Sequence, residues 1–107
     1  MTTRALITVP RTLRRGEVFE VRTLLAHPME TGYRRDSDGR MLPRDIVRRM
    51  DVLLDGERVF AADLHPAMAA NPFIAFPLLL QDGGTLQIRW SGDRGFEHTE
   101  TRVLVVS

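Results

Sequence analysis

Residues 44–61 read RDIVRRMDVLLDGERVFA. The first part carries two competing signals. Ile46, Val47, Met50, Leu53 and Leu54 fit the spacing of an amphipathic helix. Ile46, Met50, Val52 and Leu54 also fit one face of a strand, with Arg48 as the misfit. Asp55-Gly56 decides between them. A two-residue type I′ turn needs positive φ at both central positions, and Asp-Gly between apolar runs is its sequence signal. Residues 44–54 are therefore predicted as a strand, with Val59-Phe60-Ala61 as the return strand of a hairpin.

The same alternation extends to both sides. Upstream, Arg4 to Val9 is short, apolar and stopped by Pro10, as an edge strand would be. Arg14-Arg15-Gly16-Glu17 is a turn. Val18 to Ala26 then alternates, with Phe19, Val21, Thr23 and Leu25 on one face and Glu20 and Arg22 on the other. Downstream, Asp63 to Pro72 holds Pro66, Met68 and Asn71-Pro72 and reads as a connection with room for one short helical turn. Phe73 to Leu80 is apolar and interrupted by Pro77. Gln81-Asp82-Gly83-Gly84 is a turn. Leu86, Ile88 and Trp90 alternate with Gln87 and Arg89, the cleanest strand in the chain. After the turn Ser91–Gly95, Phe96 to Val106 forms the last strand, with Val103 and Val105 on one face. About seven short strands punctuated by turns predict an all-β fold: an antiparallel β-sandwich in one domain, 1–107.

The 107-residue length fits one domain and not two. Hydrophobic residues make up 43% of it, enough for a core. The formal net charge is +1, so no global field favours nucleic acid or a membrane surface. All 15 basic residues are Arg, so basic contacts can be planar and bidentate. There is no cysteine. A disulfide framework, a thiolate metal site and a cysteine nucleophile are excluded. No apolar run approaches the ~20 residues of a membrane span. MTTRALITVP reads straight into a strand and lacks the pattern of a secretory signal. Three placements fit that reading: cytoplasmic, exported by other means, or mature after signal removal.

Between the strands at 18–26 and 44–54 the alternation breaks for about twenty residues, HPMETGYRRDSDGRMLPRDIV (27–47). Proline after His27 pushes it out of the α region. Gly32 permits positive φ. Asp36-Ser37-Asp38-Gly39 is turn chemistry, with side-chain oxygens accepting from nearby backbone N–H groups. Long connections in compact domains are usually functional or disordered. This one carries Met29, Tyr33, Met41 and Leu42, too apolar for a disordered linker.

Bland readings weigh against most chemistry here. Asp36 and Asp38 before Gly39 resemble part of a calcium loop, but the further ligands are not at the required spacing, so a turn cap is favoured. His27, His65 and His98 share no helical or close strand pair; hydrogen-bonded loop histidines are favoured over a metal site. Ser37, Ser91 and Ser107 lie in turns or at the terminus without an elbow motif, so catalysis by this chain alone is not expected. The arginines at 34, 35, 40, 44, 48 and 49 are interleaved with Glu30, Asp36, Asp38, Asp45 and Asp51. That mixture fits an exposed loop or an interface rim equally, and not a nucleic-acid groove. Phe73 and Phe76 read first as core residues, and otherwise as aromatics at a partner surface.

The 27–47 signature, with Val9-Pro10, Gly16-Glu17 and Asn71-Pro72-Phe73, closely resembles the SoxZ family of bacterial thiosulfate oxidation. The resemblance implies an immunoglobulin-like sandwich without catalytic chemistry or cofactor. It implies a SoxY-type partner that carries sulfur intermediates on a cysteine in a glycine-rich C-terminal tail, with transient contact to other Sox enzymes. Nucleic acid and membrane are not implied. It implies a periplasmic subunit exported together with its partner. The family motif matches at His27, Pro28, Met29, Glu30, Gly32, Arg34, Asp36, Asp38, Gly39, Pro43 and Arg44, and at Asn71 and Pro72. Glycines and prolines are expected to shape the loop. Met29, Glu30, Arg34 and Arg44 are expected to touch the partner, and His27, Asp36, Asp38 and Asn71 complete the expected partner-binding set. A second reading from another class is a sandwich module that binds a small ligand or ion through the 27–47 loop, or a minor enzyme using His27 with Asp36 and Asp38.

Overall fold

The computed structural model describes residues 4–65 and 70–107. Among the described residues seven strands run in chain order: β1 Ala5–Thr8, β2 Val18–Leu25, β3 Val47–Leu54, β4 Glu57–Asp63, β5 Phe73–Leu79, β6 Gly84–Gly92 and β7 Glu97–Leu104. A 3-10 turn, Asp93–Gly95, separates β6 from β7. The strands form two antiparallel sheets, β1-β2-β5 and β4-β3-β6-β7. This is the antiparallel β-sandwich that the strand spacing predicts, in the immunoglobulin-like order that the resemblance implies. The expected connection at 63–72 lies partly outside the described residues.

The Asp55-Gly56 hairpin forms as expected. Both central residues have positive φ, 49° and 84°, and Leu54 pairs with Glu57 across the turn. Positive φ at both positions is what a type I′ turn requires, and its twist matches the flanking strands. The misfit at Arg48 also has a cause. Val47 faces Gly92 on β6 and Arg49 faces Ser91, so Arg48 is an extra residue in the ladder. Such a bulge shifts the phase of the side chains. Val47 and Met50 are thereby both buried while Arg48 points to solvent. Gly92 makes this possible: a Cβ there would sit 2.3 Å from the Ile46 carbonyl oxygen.

The core lies between the sheets. Val21, Thr23 and Leu25 from β2 and Phe76 from β5 meet Met50, Val52, Leu86, Ile88 and Trp90 from the other sheet. Thr23 is buried but satisfied, its hydroxyl donating to the Ile74 carbonyl at 2.7 Å. Phe60 on β4 stacks on Phe76 on β5 at 4.7 Å between centroids, closing one side of the sandwich. On the other side Arg102 of β7 donates to the Ile7 carbonyl of β1. Pro77 is tolerated because β5 is an edge strand. Of the aromatic pair after Asn71-Pro72, Phe76 is core and Phe73 is exposed. Val103 and Val105 are both exposed; the buried residue of that strand is Leu104.

Candidate partner-binding surface

The 27–47 segment is an ordered arm. Its two sides pair with each other. Glu30 and Asp45 exchange both backbone hydrogen bonds at 2.8 Å, and Arg35 pairs with Met41 nearer the tip. The tip is capped as the sequence predicts. Asp36 Oδ1 accepts from the Asp38 and Arg40 N–H groups at 2.9 and 3.0 Å, and Gly39 has φ 80°. Arg35 donates to the Gly39 carbonyl at 2.8 Å.

The base of the arm is built from buried polar contacts. His27 is buried, and its Nδ1 accepts from the Met29 N–H at 3.0 Å. In its neutral form the ring proton is therefore on Nε2, which faces Asp45 Oδ1 at 3.7 Å. Phe96 packs edge-on against the ring at 4.8 Å. Burial holds the imidazole below its ordinary pKa. Asp45 opposes that shift, Arg4 reinforces it and Asp93 weakly opposes it. Asn71 has φ 53° and closes a two-way bond with His27: its Oδ1 accepts from the His27 N–H at 3.0 Å, and its own N–H donates to the His27 carbonyl at 2.7 Å. Asn is one of the residues that tolerate this left-handed conformation.

Met29 corrects an expectation. It is only 4% exposed and belongs to the core, and its sulfur accepts from the Val47 N–H at 3.3 Å. It is not a surface contact. Arg44 is also committed within the chain. It grips Asp93 at 2.9 and 2.8 Å through two nitrogens, while Asp93 accepts from the Ile46 N–H at 3.2 Å and lies 3.9 Å from Arg48. Burial alone would raise the Asp93 pKa; the Arg44 and Ile46 hydrogen bonds and the two arginine charges outweigh it and hold the carboxyl below its usual range. The sequence alone does not single out Asp93, because its partners lie 47 and 49 residues away. Glu30 pairs with Arg34 at 2.6 Å, and that hydrogen bond lowers its pKa.

Of the eight residues expected to touch a partner, then, His27, Met29, Asp36 and Asn71 shape the arm. Glu30 and Arg44 are ion-paired within the chain. Arg34 and Asp38 stay open to solvent. The outward apolar residues of the arm are Tyr33, 83% exposed, and Met41. His27 at the base is separated from Asp36 and Asp38 at the tip by both bridges, so they form no joint site. Among the described residues no three His, Cys, Asp or Glu side chains converge as a metal site.

These features define a class: an all-β sandwich with a structured arm and two exposed sheet faces, with His27 spent on shaping the arm and His98 paired with Glu100 at 2.8 Å. The sequence matches the family described as "Sulphur oxidation protein SoxZ" over residues 7–103. The chain belongs to the SoxZ family, and so to the proteins of Sox sulfur oxidation. Comparison with the curated proteins gives no match. Among solved structures, the sulfur carrier protein SoxY from Chlorobium limicola f thiosulfatophilum superposes with a TM-score of 0.68 at 14% identity, covering 99% of this chain and 81% of that one. The superoxide reductase (neelaredoxin) from Ignicoccus hospitalis gives 0.71 at 15% identity, covering 98% and 81%. A putative superoxide reductase from Thermotoga maritima gives 0.71 at 14%, covering 96% and 85%. At these identities the likeness is one of fold.

Proposed function

We propose that this chain is the non-catalytic subunit of a SoxYZ-type sulfur carrier. It holds a SoxY-type partner whose C-terminal cysteine bears the sulfur intermediates of thiosulfate oxidation. One observation carries the reading: a SoxZ-family match over residues 7–103 in a chain with no cysteine. A stable, reducible sulfur adduct needs a nucleophilic thiolate, which this chain cannot supply. Its part is to give the partner a rigid base while the partner's tail moves between enzymes, since glycine-rich tails are mobile. The arm contributes contacts through Tyr33, Arg34, Asp38 and Met41, residue types that adapt to or orient against a partner surface. The pair works in the periplasm, where this chain travels with its partner, and other Sox enzymes meet it transiently.

The test is intact mass spectrometry of the complex purified from the native host after turnover with thiosulfate. The two chains should co-purify. Adducts should appear on the partner and vanish with a reductant, while the mass of this chain stays unchanged. A reducible sulfur adduct on this chain would overturn the reading.

A further inference from the structure

The outward face of the β1-β2-β5 sheet carries a line of apolar side chains. Leu6, Leu24 and Phe73 are register partners on three neighbouring strands, so they stand side by side on one rung. They are 56%, 40% and 58% exposed. Val18 and Leu79 form a second exposed pair at the other end of the sheet. Between the two lie Ala75 opposite Arg22 and Pro77 opposite Glu20. Arg22 and Glu20 bond each other at 2.6 Å, which leaves little free charge on the face. A shallow groove lined by Arg4, Ala5, Leu6, Leu24, Ala26 and Asn71 continues the first rung to the base of the arm.

Strand addition at a sheet edge is the other common way for a sandwich to bind a protein. Three of the four sheet edges, β4, β5 and β1, are blunted. Opposite β3, β4 carries an extra residue at Val59. Pro77 interrupts β5. Only four residues long, β1 has its Ile7 carbonyl taken by Arg102 of β7. Bulges, prolines and short strands are how proteins close edges to pairing. The face remains.

We propose that the outer face of β1-β2-β5 is where the SoxY-type partner docks, sheet face against sheet face, with the Leu6-Leu24-Phe73 rung at its centre. This rests on the function proposed above. Size argues for a folded partner. Three strands ~4.8 Å apart, of four, eight and seven residues, give a face roughly 15 Å wide and at most ~27 Å long. That is at most ~400 Å², about half of one side of a standard interface of about 800 Å², so the groove and the arm beside it have to supply the rest. One extended peptide would leave most of it uncovered. The Chlorobium limicola SoxY superposes on this fold, and a sandwich of that kind offers a sheet face of its own. Continuity argues for the same partner. Leu24 lies three residues before His27, where the chain leaves the sheet for the arm, and Asn71 both lines the groove and fixes His27. The face and the arm are then parts of one surface.

The test measures the affinity of the SoxY-type subunit of the same host for variants of this chain. Phe73→Glu and Leu6→Glu, both on edge strands, should each raise Kd at least tenfold. Thr99→Glu and Arg89→Glu on the outer face of the other sheet should stay within twofold of the parent. A second measurement does not depend on how well a charged variant folds. Because the chain has no cysteine, Phe73→Cys and Thr99→Cys each provide a single thiol. In the complex, alkylation of Phe73→Cys should slow at least tenfold and that of Thr99→Cys should not. The inference is overturned if Phe73→Glu and Leu6→Glu bind like the parent, if Phe73→Cys is unprotected, or if this chain alone forms a dimer that Phe73→Glu dissociates. Failure of the parent chain itself to bind the partner would overturn the proposed function as well. Normal parent binding with undiminished Phe73→Glu binding would overturn this inference alone.

Discussion

The two outer faces of the sandwich are built from the same kind of strand and are dressed differently. On β4-β3-β6-β7 the rungs are mostly polar: Asp51 lies beside Arg89 and Thr99, and Leu53 beside Gln87 and Thr101, with Val103 beside Thr85 the exposed apolar exception. The charges there answer one another. Arg49 meets Asp51 and Asp63 at 3.0 Å, and Arg89 approaches Glu97 at 3.7 Å. On β1-β2-β5 the corresponding rungs hold Leu6, Leu24 and Phe73, and then Val18 and Leu79. Scattered surface leucines need no explanation, but a contiguous exposed apolar patch marks an interaction site. One face is dressed mainly for water and the other is left apolar.

The largest expected effect separates the inner row of a strand from its outer row. Leu25 and Leu24 are neighbours on β2 that point to opposite faces, one buried and one exposed. Leu25→Ala should cost about 3 kcal/mol in urea unfolding, because its cavity lies in the core. Leu24→Ala should cost under about 1 kcal/mol, since its side chain is already half in water. Comparable losses would mean that Leu24 is structural, and the contrast between faces would weaken.

Gly92→Ala should follow, at about 1–3 kcal/mol, because the new Cβ would collide with the Ile46 carbonyl in a tight site. Thermal unfolding that leaves Gly92→Ala at the parent midpoint would contradict the bulge at Arg48.

A smaller effect is a pH dependence from the arm base. His27 has its pKa lowered in the folded state, so the unfolded chain binds the proton more readily. Stability therefore rises with pH through this window. The His27 contribution is complete above the ordinary imidazole value of about 6.5 and fades as the pH falls below it. Protonation would also remove the Nδ1 acceptor for the Met29 N–H. The unfolding midpoint should drop by a few degrees between pH 7 and pH 5, and His27→Gln should flatten that slope. An unchanged slope would place the titration elsewhere. The carboxyls of Glu30 and Asp93, also lowered, act at more acidic pH.

The smallest effect is expected on the charged face. Arg89→Gln should shift the midpoint by no more than a couple of degrees, because exposed ion pairs contribute little. A large loss there would give that face a structural role that its exposure does not indicate.

Much of the fold was legible because its signals are local. Asp55-Gly56 specifies a turn by itself, and the alternation at 18–25 and 86–90 specifies strands and their inner faces. Asp36 to Gly39 likewise carries its own capping chemistry. What stayed hidden depends on contacts distant in sequence. Arg48 looked like an error in a strand, and only its place opposite Gly92 and Ser91 makes it a bulge. Met29 looked like an exposed loop residue; the Val47 N–H, 18 residues on, meets its sulfur in the core. Arg44 looked like a free cation until Asp93 was placed beside it. The apolar rung did leave a trace. Leu24-Leu25 and Phe73-Ile74 are doubled apolar residues at strand ends, where strict alternation would put a polar residue outside. Only the register shows that these doublets meet on one side.

The most direct measurement follows the backbone amide resonances of this 12.2 kDa chain, isotopically labelled, as the unlabelled SoxY-type subunit is added. A difference between the two faces predicts a difference in the spectrum. Perturbed or broadened amides should cluster at residues 4–8, 18–25 and 73–79 and along the arm at 30–45. Amides at 49–54, 57–63 and 85–91, away from that surface, should change least. Perturbations gathered on those latter strands, with 18–25 and 73–79 left unchanged, would contradict the account.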